Sequence, residues 1–574
     1  MCGILIIHSK KKKISKNICL EAARDLLNRG PDIFKYEFFE KENLFISNTV
    51  LSITGEDKKN RKLLRSKSKR FVISFNGEIY NYKDFQKNHE NKKNTDTKTL
   101  VDLYDSYSSK VIPNMLNGMY VYAVYDKLKK NVQIVNDPQG EKNLYYYNDE
   151  NYFVASSKIS TIIKVIKKYS LNESAIKNYF LTRHYMPFEE TCFSGIRIFK
   201  NAHIYKYSIN SNKIKASVVN EPINWISKKK YLQFKKMKEV DVINFFEDQI
   251  INQLKLMIPN KRFGCIVSGG IDSSLQSKLV NTLACSSLNL ALDFGSKDPI
   301  MKSLYRFNNF FDKKIVKKRV DQKLYKKLAN KCYDVVSSPL QTHDLPGRYY
   351  LSKIFKKNKC KVFFSADGCD ELFGGQQVYL KCFKKKFNFD KNSSPYSSIV
   401  KNKMIDLNQK KIKSFLNRKW KEIYKKYSFI KSPRERSIQS SLYLDYFLQS
   451  ISVANRSNDL ICCENSVEPR NVFIQKNILK IILNLPLKYK FNENANEKLF
   501  KQKYILKKIF IKYFPKNLIF KKSGFSGYPN SLKEKKIFAK SKLINTFLLN
   551  KNRYIARDLE WKIINTEVFL NKYF

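Results

Sequence analysis

The segment at positions 268–274, which reads Ser-Gly-Gly-Ile-Asp-Ser-Ser, constrains the fold of this chain more than any other. It follows an apolar run at 263–267 that is typical of a buried strand, and it precedes a helical pattern that starts near Asp272. Small residues at such a turn let backbone N–H groups converge on an anion at the helix N-terminus, and serine hydroxyls add donors. The pattern therefore predicts a phosphate-binding loop. The lysine of a Walker A loop is missing, which excludes that class.

The surrounding chain divides into two parts. Strands predicted at 263–267, 287–292 and 361–364 alternate with helices, which indicates a parallel, doubly wound sheet, and the chain beyond position 376 reads as mostly helical. Residues before position 210 read as short strands separated by helices, which is typical of a layered domain with central sheets. We predict a first domain at 2–210, a linker at 211–238 and a second domain at 239–574.

A second polar cluster follows the predicted strand at 361–364. Asp367, Asp370 and Glu371 place three carboxylates within five residues, where they repel one another unless a cation or proton lies among them. Doubly wound sheets bind ligands at the carboxyl ends of their strands, so this cluster is a candidate site. An exposed acidic loop is the alternative, although acidic residues are scarce in this chain. Asp272 in the phosphate loop is explained if it binds Mg²⁺ rather than phosphate.

The N-terminus reads Met-Cys-Gly and offers a candidate nucleophile. If Met1 is removed, Cys2 carries both a thiol and a free α-amine. The amine has an ordinary pKa of about 7.7–8.0, so it can act as the base that activates the thiol. The alternative is that Cys2 is an ordinary residue at the start of a strand.

Three further segments of the first part carry polar groups at turns. Arg29 opens an Arg-Gly-Pro-Asp turn. Asn76 and the backbone amide of Gly77 follow a strand and can donate to a developing oxyanion, although Asn-Gly is also an ordinary hairpin turn. Asp96 offers a carboxylate just before a helix, where an N-cap is the alternative.

The charge of the chain first suggests a polyanion partner. Lys and Arg total 109 against 51 Asp and Glu, which gives a net charge of +58. Lys greatly outnumbers Arg, however, and Arg is the residue preferred for bidentate contacts to phosphates and bases. Hydrophobic residues make up 43% of the chain, which excludes a disordered basic tail. We therefore favour a soluble enzyme with a compositionally biased surface over a dedicated nucleic-acid binder.

Cysteine usage and hydropathy bear on the compartment. The 11 cysteines include no Cys-x-x-Cys pair, and the five histidines show no metal-ligand spacing, so neither a zinc site nor a disulfide framework is expected. A reducing, cytoplasmic location follows as the expectation. No apolar stretch reaches the roughly 18 residues needed to cross a bilayer, so no membrane association is expected.

Taken together, these motifs resemble those of the glutamine-dependent asparagine synthetases. Met-Cys-Gly, Arg-Gly-Pro-Asp and Phe-Asn-Gly-Glu-Ile-Tyr-Asn are similar to the glutaminase domain of that family. Ser-Gly-Gly-Ile-Asp-Ser-Ser and Ser-Ala-Asp-Gly-Cys-Asp-Glu-Leu-Phe-Gly-Gly are similar to its ATP pyrophosphatase domain. The resemblance covers nearly the whole chain. It implies a layered αββα N-terminal-nucleophile hydrolase domain, followed by a doubly wound parallel-sheet domain with a helical C-terminal part.

The resemblance also implies a two-site ligase whose substrates are glutamine, aspartate and ATP. Cys2 would attack the glutamine amide, and the ammonia released would pass through an internal channel. ATP, with Mg²⁺, would activate the aspartate β-carboxylate as an acyl-adenylate. The residues that match the family's motifs are Cys2, Asn76, Gly77 and Asp367 for catalysis; Arg29, Asn76, Glu78 and Asp96 for glutamine binding; Val267, Ser268, Gly269, Gly270, Asp272, Ser273, Ser274 and Lys503 for ATP and pyrophosphate; Asp272 and Asp370 for the metal; and Lys522, Gly524 and Phe525 for a later family signature.

Several positions depart from the family pattern. Val50 stands where the family has an Arg that holds the glutamine carboxylate, which removes a charge-assisted contact. Asn136 and Ser157 replace a family Arg and Glu. On the acceptor side, Asp367 replaces a Glu, and Gln475 ends a segment that reads Pro-Phe-Leu-Asp in the family.

Three alternatives stay open. The first keeps the chemistry but amidates another carboxylate, such as a uronic acid on a surface polysaccharide. The second is a ligase driven by free ammonia because glutamine binds poorly. The third, from a different class, is a basic nucleic-acid-binding protein with relic enzyme motifs; the favoured interpretation expects no specific nucleic-acid partner. A homodimer is a possible assembly.

Overall fold

The computed structural model describes residues 2–55, 61–86, 95–181, 189–295, 304–376, 379, 410–495, 497–520 and 557–574. Its strands form two six-stranded antiparallel sheets in the first part of the chain and one five-stranded parallel sheet in the second part. Within these ranges, no helix has both the length and the apolar character needed to cross a membrane.

The strands of the first part are short and mostly buried. In chain order they are β1 (Gly3–Ser9), β2 (Ile33–Phe39), β3 (Leu44–Val50), β4 (Leu64–Arg65), β5 (Phe71–Ile79), β6 (Gly118–Asp126), β7 (Asn131–Asn136), β8 (Tyr145–Asn148), β9 (Tyr152–Ser156), β10 (Ile196–Ile198), β11 (His203–Ser208) and β12 (Ile214–Val218). The first sheet has the order β10-β8-β9-β1-β3-β2, and the second has the order β12-β11-β7-β6-β5-β4.

The two sheets stack face to face, and helices cover their outer faces. The helices of this part are α1 (Lys16–Arg24), α2 (Asp96–Ser106), α3 (Ile112–Met115), α4 (Ile159–Ile166) and α5 (Glu173–Leu181). Successive side chains of β1 point to opposite faces of its sheet. Ile4 packs between the two sheets with Val121, whereas Leu5 packs on the outer face against α1 and α4. Helix α2 packs on the outer face of the second sheet. The predicted αββα layering is confirmed.

The second sheet extends into the segment predicted as a linker. Strand β12 pairs with β11 in antiparallel register, from Ile214 opposite Tyr207 to Val218 opposite His203. The chain then forms α6 (Lys228–Lys236), which buries Tyr231. Most of the 211–238 segment therefore has regular structure.

The second part is built around the parallel sheet. Its strands are β13 (Phe263–Ile266), β14 (Leu288–Asp293), β15 (Ile315–Arg319), β16 (Val362–Phe364) and β17 (Glu468–Arg470). Their order is β15-β14-β13-β16-β17, so the direction of winding reverses between β13 and β16. In sheets of this kind, the crevice for ligands lies outside the carboxyl ends of the strands at that reversal. The predicted doubly wound sheet is confirmed.

Helices surround this sheet and form the C-terminal region, as predicted. They are α7 (Glu239–Met257), α8 (Ile271–Leu283), α9 (Gln322–Val336), α10 (Leu345–Lys357), α11 (Cys369–Leu372), α12 (Lys410–Lys426), α13 (Pro433–Asp445), α14 (Asn455–Cys463), α15 (Lys476–Ile482), α16 (Leu487–Lys490), α17 (Tyr504–Tyr513) and α18 (Arg557–Tyr573). A π-helical segment, Tyr446–Ala454, joins α13 to α14 without a break. Such segments are rare and often occur at functional sites.

Candidate active sites

The N-terminal site forms where Cys2 enters β1 beside β5 of the second sheet. The backbone nitrogen of Cys2 donates to Oδ1 of Asn76 at 2.9 Å. Cys2 is 6% exposed and Asn76 is fully buried. The other amide atom, Nδ2 of Asn76, is buried without a hydrogen-bond partner among the described residues. Asn76 therefore positions Cys2 with one atom and retains a donor on the other.

Gly77 lies inside a strand, so the alternative of a simple hairpin turn at Asn-Gly is wrong. Asn76 and Gly77 pair with Val121 and Tyr120 of β6. Gly77 has φ of 149°, and a Cβ there would lie 2.1 Å from the carbonyl oxygen of Met119. Only glycine fits this position.

Arg29 connects the N-terminal site to the second part of the chain. Its Nε donates to the Cys2 carbonyl oxygen at 3.0 Å, and its Nη2 donates to both carboxylate oxygens of Asp459 at 3.0 Å. Both side chains are buried. Burial would lower the pKa of Arg29, but Asp459 raises it above its ordinary value, so the guanidinium stays charged. Nη1 has no hydrogen-bond partner among the described residues.

Glu78 makes a second connection of this kind. Arg470 on β17 donates from Nη2 to Oε2 of Glu78 at 3.0 Å and from Nε to Glu468 at 2.8 Å. Burial raises the pKa of Glu78 to about 8, although Arg470 opposes that shift. The carboxylate predicted to bind glutamine thus lies against a cation from the second part of the chain.

Asp96 is not the N-cap of α2, because Thr95 has that role and accepts from the Lys98 backbone. Asp96 is 3% exposed. Its Oδ2 accepts from the Ile79 backbone at 3.1 Å, directly beyond Glu78. The N-terminal motifs therefore converge at the end of β5.

Val50 makes apolar contacts at the position where the family has an Arg that holds the glutamine carboxylate. Val50, Ile33 and Cys2 form one buried cluster. No cation can be contributed from that position.

The phosphate loop follows β13 and is organised by its serines. The Oγ atoms of Ser268 and Ser273 lie 2.8 Å apart, and the Ser268 backbone donates to Ser273 Oγ at 3.2 Å. Gly269 has φ of 79°, a conformation that favours glycine. Gly270 is the N-cap of α8 and places no side chain there to block the helix N-terminus. The loop therefore presents hydroxyls and a helix N-terminus to an anion.

Lys503 joins the two acidic segments predicted from the sequence. Its Nζ forms an ion pair with Asp272 in the first turn of α8 and lies 2.6 Å from Oδ1 of Asp370. Burial would lower the pKa of Lys503, but the two carboxylates raise it well above its ordinary value. A Cβ on Gly375 would lie 2.0 Å from Cε of Lys503, so glycine is needed for this approach. Asp272 and Asp370 thus enclose one cation position.

Asp367 is held by partners that sequence reasoning missed. Arg348 on α10 binds both of its oxygens, at 2.6 and 2.9 Å. Asn458 and Ser365 each donate to Oδ2 at 3.0 Å. Arg348 is four residues after Asp344 on one helix face, and it also pairs with that carboxylate. Asp367 is therefore oriented by a fixed cation.

A small cavity lies beside Asp367, where the two parts of the chain meet. Glu141 and Lys142 of the first part line it, together with Asn455 and Asn458 of α14. We call it the acceptor cavity. Burial raises the pKa of Glu141 to about 8, with Asp137 adding to the shift.

Gln475 donates to Oε1 of Glu141 at 2.9 Å, so the residue that replaces the family Asp binds the opposite part of the chain. Lys522, Gly524 and Phe525 lie outside the described residues. Glu141, Lys142 and Asp459 were also missed by sequence reasoning, because no local pattern marks them.

Family models match both parts of the chain. Residues 1–218 match the family model described as a glutamine amidotransferase domain, and residues 248–551 match the one described as asparagine synthase. The two matches define the class of protein, in which a glutamine amidotransferase domain precedes an asparagine synthase domain. The chain belongs to the asparagine synthase family.

Named relatives are distant. A glutamine-hydrolysing asparagine synthetase 1 of Methanocaldococcus jannaschii is 22% identical over 86% of this chain and 82% of its own length. The asparagine synthetase of Rattus norvegicus is 25% identical over 66% of this chain and 68% of its own. Among solved structures, the glutamine phosphoribosylpyrophosphate amidotransferase of B. subtilis is similar at a TM-score of 0.29 and 12% identity, over 55% of this chain and 81% of its own.

Proposed function

We propose that this chain is a cytoplasmic, glutamine-hydrolysing asparagine synthetase that amidates the aspartate β-carboxylate at the expense of ATP. The observation that carries the proposal is the pairing of two sites in one chain. Cys2 lies beside a buried, available amide donor, and a phosphate loop meets two carboxylates around Lys503. The buried Arg29–Asp459 pair joins the two parts.

In the first half-reaction, the Cys2 thiol would lose its proton to a base and its sulfur would attack the glutamine side-chain carbonyl. Removal of Met1 would make the Cys2 nitrogen that base, and Asn76 Oδ1 already holds that nitrogen. Nδ2 of Asn76 and the Gly77 N–H would stabilise the oxyanion. Collapse of the tetrahedral intermediate forms a thioester and releases ammonia, and water then hydrolyses the thioester to glutamate.

In the second half-reaction, the phosphate loop would hold the pyrophosphate of ATP while the aspartate β-carboxylate attacks the α-phosphorus. A carboxylate has no good leaving group, and adenylation supplies one. Lys503 would neutralise charge on the departing pyrophosphate. Ammonia then displaces AMP from the acyl-adenylate and forms asparagine.

The residues around Lys503 fit a bound Mg²⁺. Asp272 and Asp370 already place two carboxylates around one cation position. Mg²⁺ in nucleotide sites is held by one or two carboxylates together with the phosphates. When bound, the ion supplies further neutralisation of the phosphate charge.

Specific observations favour keeping two alternatives. Val50 contributes no cation at the glutamine site, which supports use of free ammonia as the nitrogen source. Gln475 donates a hydrogen bond to Glu141, and Asp367 accepts hydrogen bonds from Arg348. Asparagines line the acceptor cavity. Amide groups suit neutral hydrogen-bonding groups such as hydroxyls, which supports a carboxylate acceptor of the uronic-acid type.

An ATP–pyrophosphate exchange assay with purified protein tests the acceptor. Aspartate is expected to stimulate exchange, and a uronic acid such as glucuronate is not. Exchange that glucuronate stimulates and aspartate does not would replace the first acceptor with the second. Cys2→Ala is expected to abolish glutamine-driven product and to leave ammonium-driven product within about twofold. Glutamine-driven turnover that survives this change would show that Cys2 is not the nucleophile.

A further inference from the structure

The acceptor cavity is lined from both parts of the chain. Glu141 and Lys142 line it from the first part. Ser365 and Asp367, which follow β16, line it from the second. Since β16 pairs with β13, the strand before the phosphate loop, the cavity lies at the edge of the sheet where the acyl-adenylate of the proposed reaction would form. It has room for about one or two molecules of the size of water, which is also the size of ammonia.

The attack of ammonia on the acyl-adenylate needs a proton acceptor. When the nitrogen lone pair bonds to the acyl carbon, the nitrogen carries three hydrogens and a positive charge. A neutral amide forms only after one of these protons is transferred to a base. A carboxylate within hydrogen-bond reach is a suitable base when its pKa lies near the pH of the reaction.

Asp367 is poorly suited to that role, because its oxygens already hold donors. Both of them accept hydrogen bonds from the Arg348 guanidinium, at 2.6 and 2.9 Å. Asn458 and Ser365 each donate a further hydrogen bond to Oδ2 at 3.0 Å. Protonation of Asp367 would therefore cost its charge-assisted pairing with Arg348.

Glu141 lies on the opposite side of the same cavity and has no cation bound to it. Its Oε1 accepts from Gln475 at 2.9 Å, and Oε2 accepts no hydrogen bond from any residue that the structure describes. Burial raises the pKa of Glu141 to about 8, with Asp137 adding to the shift. Glu468 also raises this pKa, whereas Lys142 lowers it. The carboxyl group can therefore gain and lose a proton near neutral pH.

Two tyrosines also interact with the Glu141 carboxylate. They are Tyr80 of the first part and Tyr446 of the π-helical segment. Burial raises the pKa of both hydroxyls well above the ordinary value, so both stay protonated over the range in which Glu141 titrates.

The loop that carries Glu141 is fixed from both parts of the chain. The carboxylate of Asp137 accepts from the backbone nitrogens of Glu141 and Lys142, each at 3.0 Å. Asn455 of α14 donates to the Gln139 carbonyl oxygen at 2.8 Å. Glu141 is therefore positioned before the substrates bind, as proton transfer in a transition state requires.

We propose that Glu141 is the general base of the amidation step, an inference that rests on the proposed function. The nitrogen of ammonia bonds to the acyl carbon, and the Glu141 carboxylate takes up one proton from that nitrogen. The bond between the acyl carbon and the AMP oxygen then breaks, and its electron pair leaves with AMP. The product is a neutral amide, and Glu141 returns the proton to solvent.

Glu141→Gln tests the proposal because it removes the base and keeps an oxygen that can accept from Gln475. Asparagine formation is measured at constant free ammonia, and aspartate-dependent ATP–pyrophosphate exchange is measured on the same preparation. Exchange is expected to stay within about twofold of the parent, whereas asparagine formation falls about 10²–10⁴-fold, the usual contribution of a general base. Glu189→Gln is the matched control, since Glu189 pairs with Lys200, and it is expected to match the parent in both assays.

The pH profile distinguishes a base from a merely structural residue. In the parent, asparagine formation at constant free ammonia is expected to fall as the pH drops below about 8, because Glu141 becomes protonated. Glu141→Gln is expected to lose this pH dependence. Asparagine formation that survives in Glu141→Gln, or a parent rate that is flat between about pH 6.5 and 9, would overturn the role of Glu141. Absence of aspartate-dependent exchange in the parent would instead refute the proposed function, and this inference with it.

Discussion

The two amide atoms of Asn76 have different roles in the proposed site, and replacing Asn76 by Asp distinguishes them. Oδ1 accepts from the Cys2 nitrogen, whereas Nδ2 is buried and has no hydrogen-bond partner among the described residues. Asn76→Asp keeps an oxygen opposite the Cys2 nitrogen and replaces the Nδ2 donor with an acceptor. If Nδ2 stabilises the oxyanion, glutamine hydrolysis is lost while Cys2 stays in position.

The expected fall in kcat is the effect of removing one hydrogen-bond donor from the oxyanion hole. Removal of a single oxyanion-hole donor lowers kcat by about 10²–10³-fold, or about 2.7–4 kcal/mol. Asn76 is fully buried, so water does not readily replace the lost donor. The new carboxylate also repels the developing oxyanion, which places the expected loss for Asn76→Asp at the upper end of this range.

Glutaminase activity and ammonium-driven pyrophosphate release are measured on the same preparation. Ammonium-driven release is expected to stay within about twofold of wild type, because the phosphate loop belongs to the other part of the chain. Asn114→Asp is the matched control, since Asn114 is exposed in the same domain. Glutamine turnover by Asn76→Asp within tenfold of wild type would refute the oxyanion role.

Three other substitutions probe the remaining contacts. Gly375→Ala places a methyl group against Lys503, so ATP–pyrophosphate exchange is expected to fall at least tenfold while glutaminase activity is retained; unchanged exchange would contradict the role of Lys503. Asp459→Asn leaves the buried Arg29 charge without its counter-ion. Chemical denaturation is expected to show that the free energy of unfolding falls by about 3–5 kcal/mol. A fall of less than about 1 kcal/mol would contradict a stabilising role of this ion pair. Burial lowers the pKa of Lys490 to about 7. Between about pH 7 and 10.5, the folded state therefore binds fewer protons than the unfolded state. The contribution of Lys490 to the free energy of unfolding thus increases as the pH rises through this range. Urea unfolding of Lys490→Met is expected to lack that gain, and an unchanged pH slope would contradict it.

The sequence predicted those features that depend on short segments. The strand β13, the serine loop and the start of α8 are contiguous, and small residues between an apolar run and a helix have few other uses. The layered and doubly wound architectures also followed from the alternation of strands and helices. The edge strands β15 and β17 were missed because they contain mainly charged residues and a proline, as edge strands often do.

The contacts between the two parts could not be predicted in this way. Arg29 and Asp459 are 430 positions apart, and Glu78 and Arg470 are 392 apart. No local periodicity encodes such pairs, since only the packed fold brings them together. The exclusion of a hairpin turn at Gly77 likewise depended on its pairing with β6.

In the proposed reaction, one chain transfers the amide nitrogen of glutamine to aspartate. Incubation with glutamine labelled with ¹⁵N at the side-chain amide, aspartate, ATP and Mg²⁺ tests it directly, with product analysis by mass spectrometry. We expect ¹⁵N in the side-chain amide of asparagine, together with equimolar AMP and pyrophosphate. Label recovered only as free ammonium, with no aspartate-dependent pyrophosphate, would contradict it.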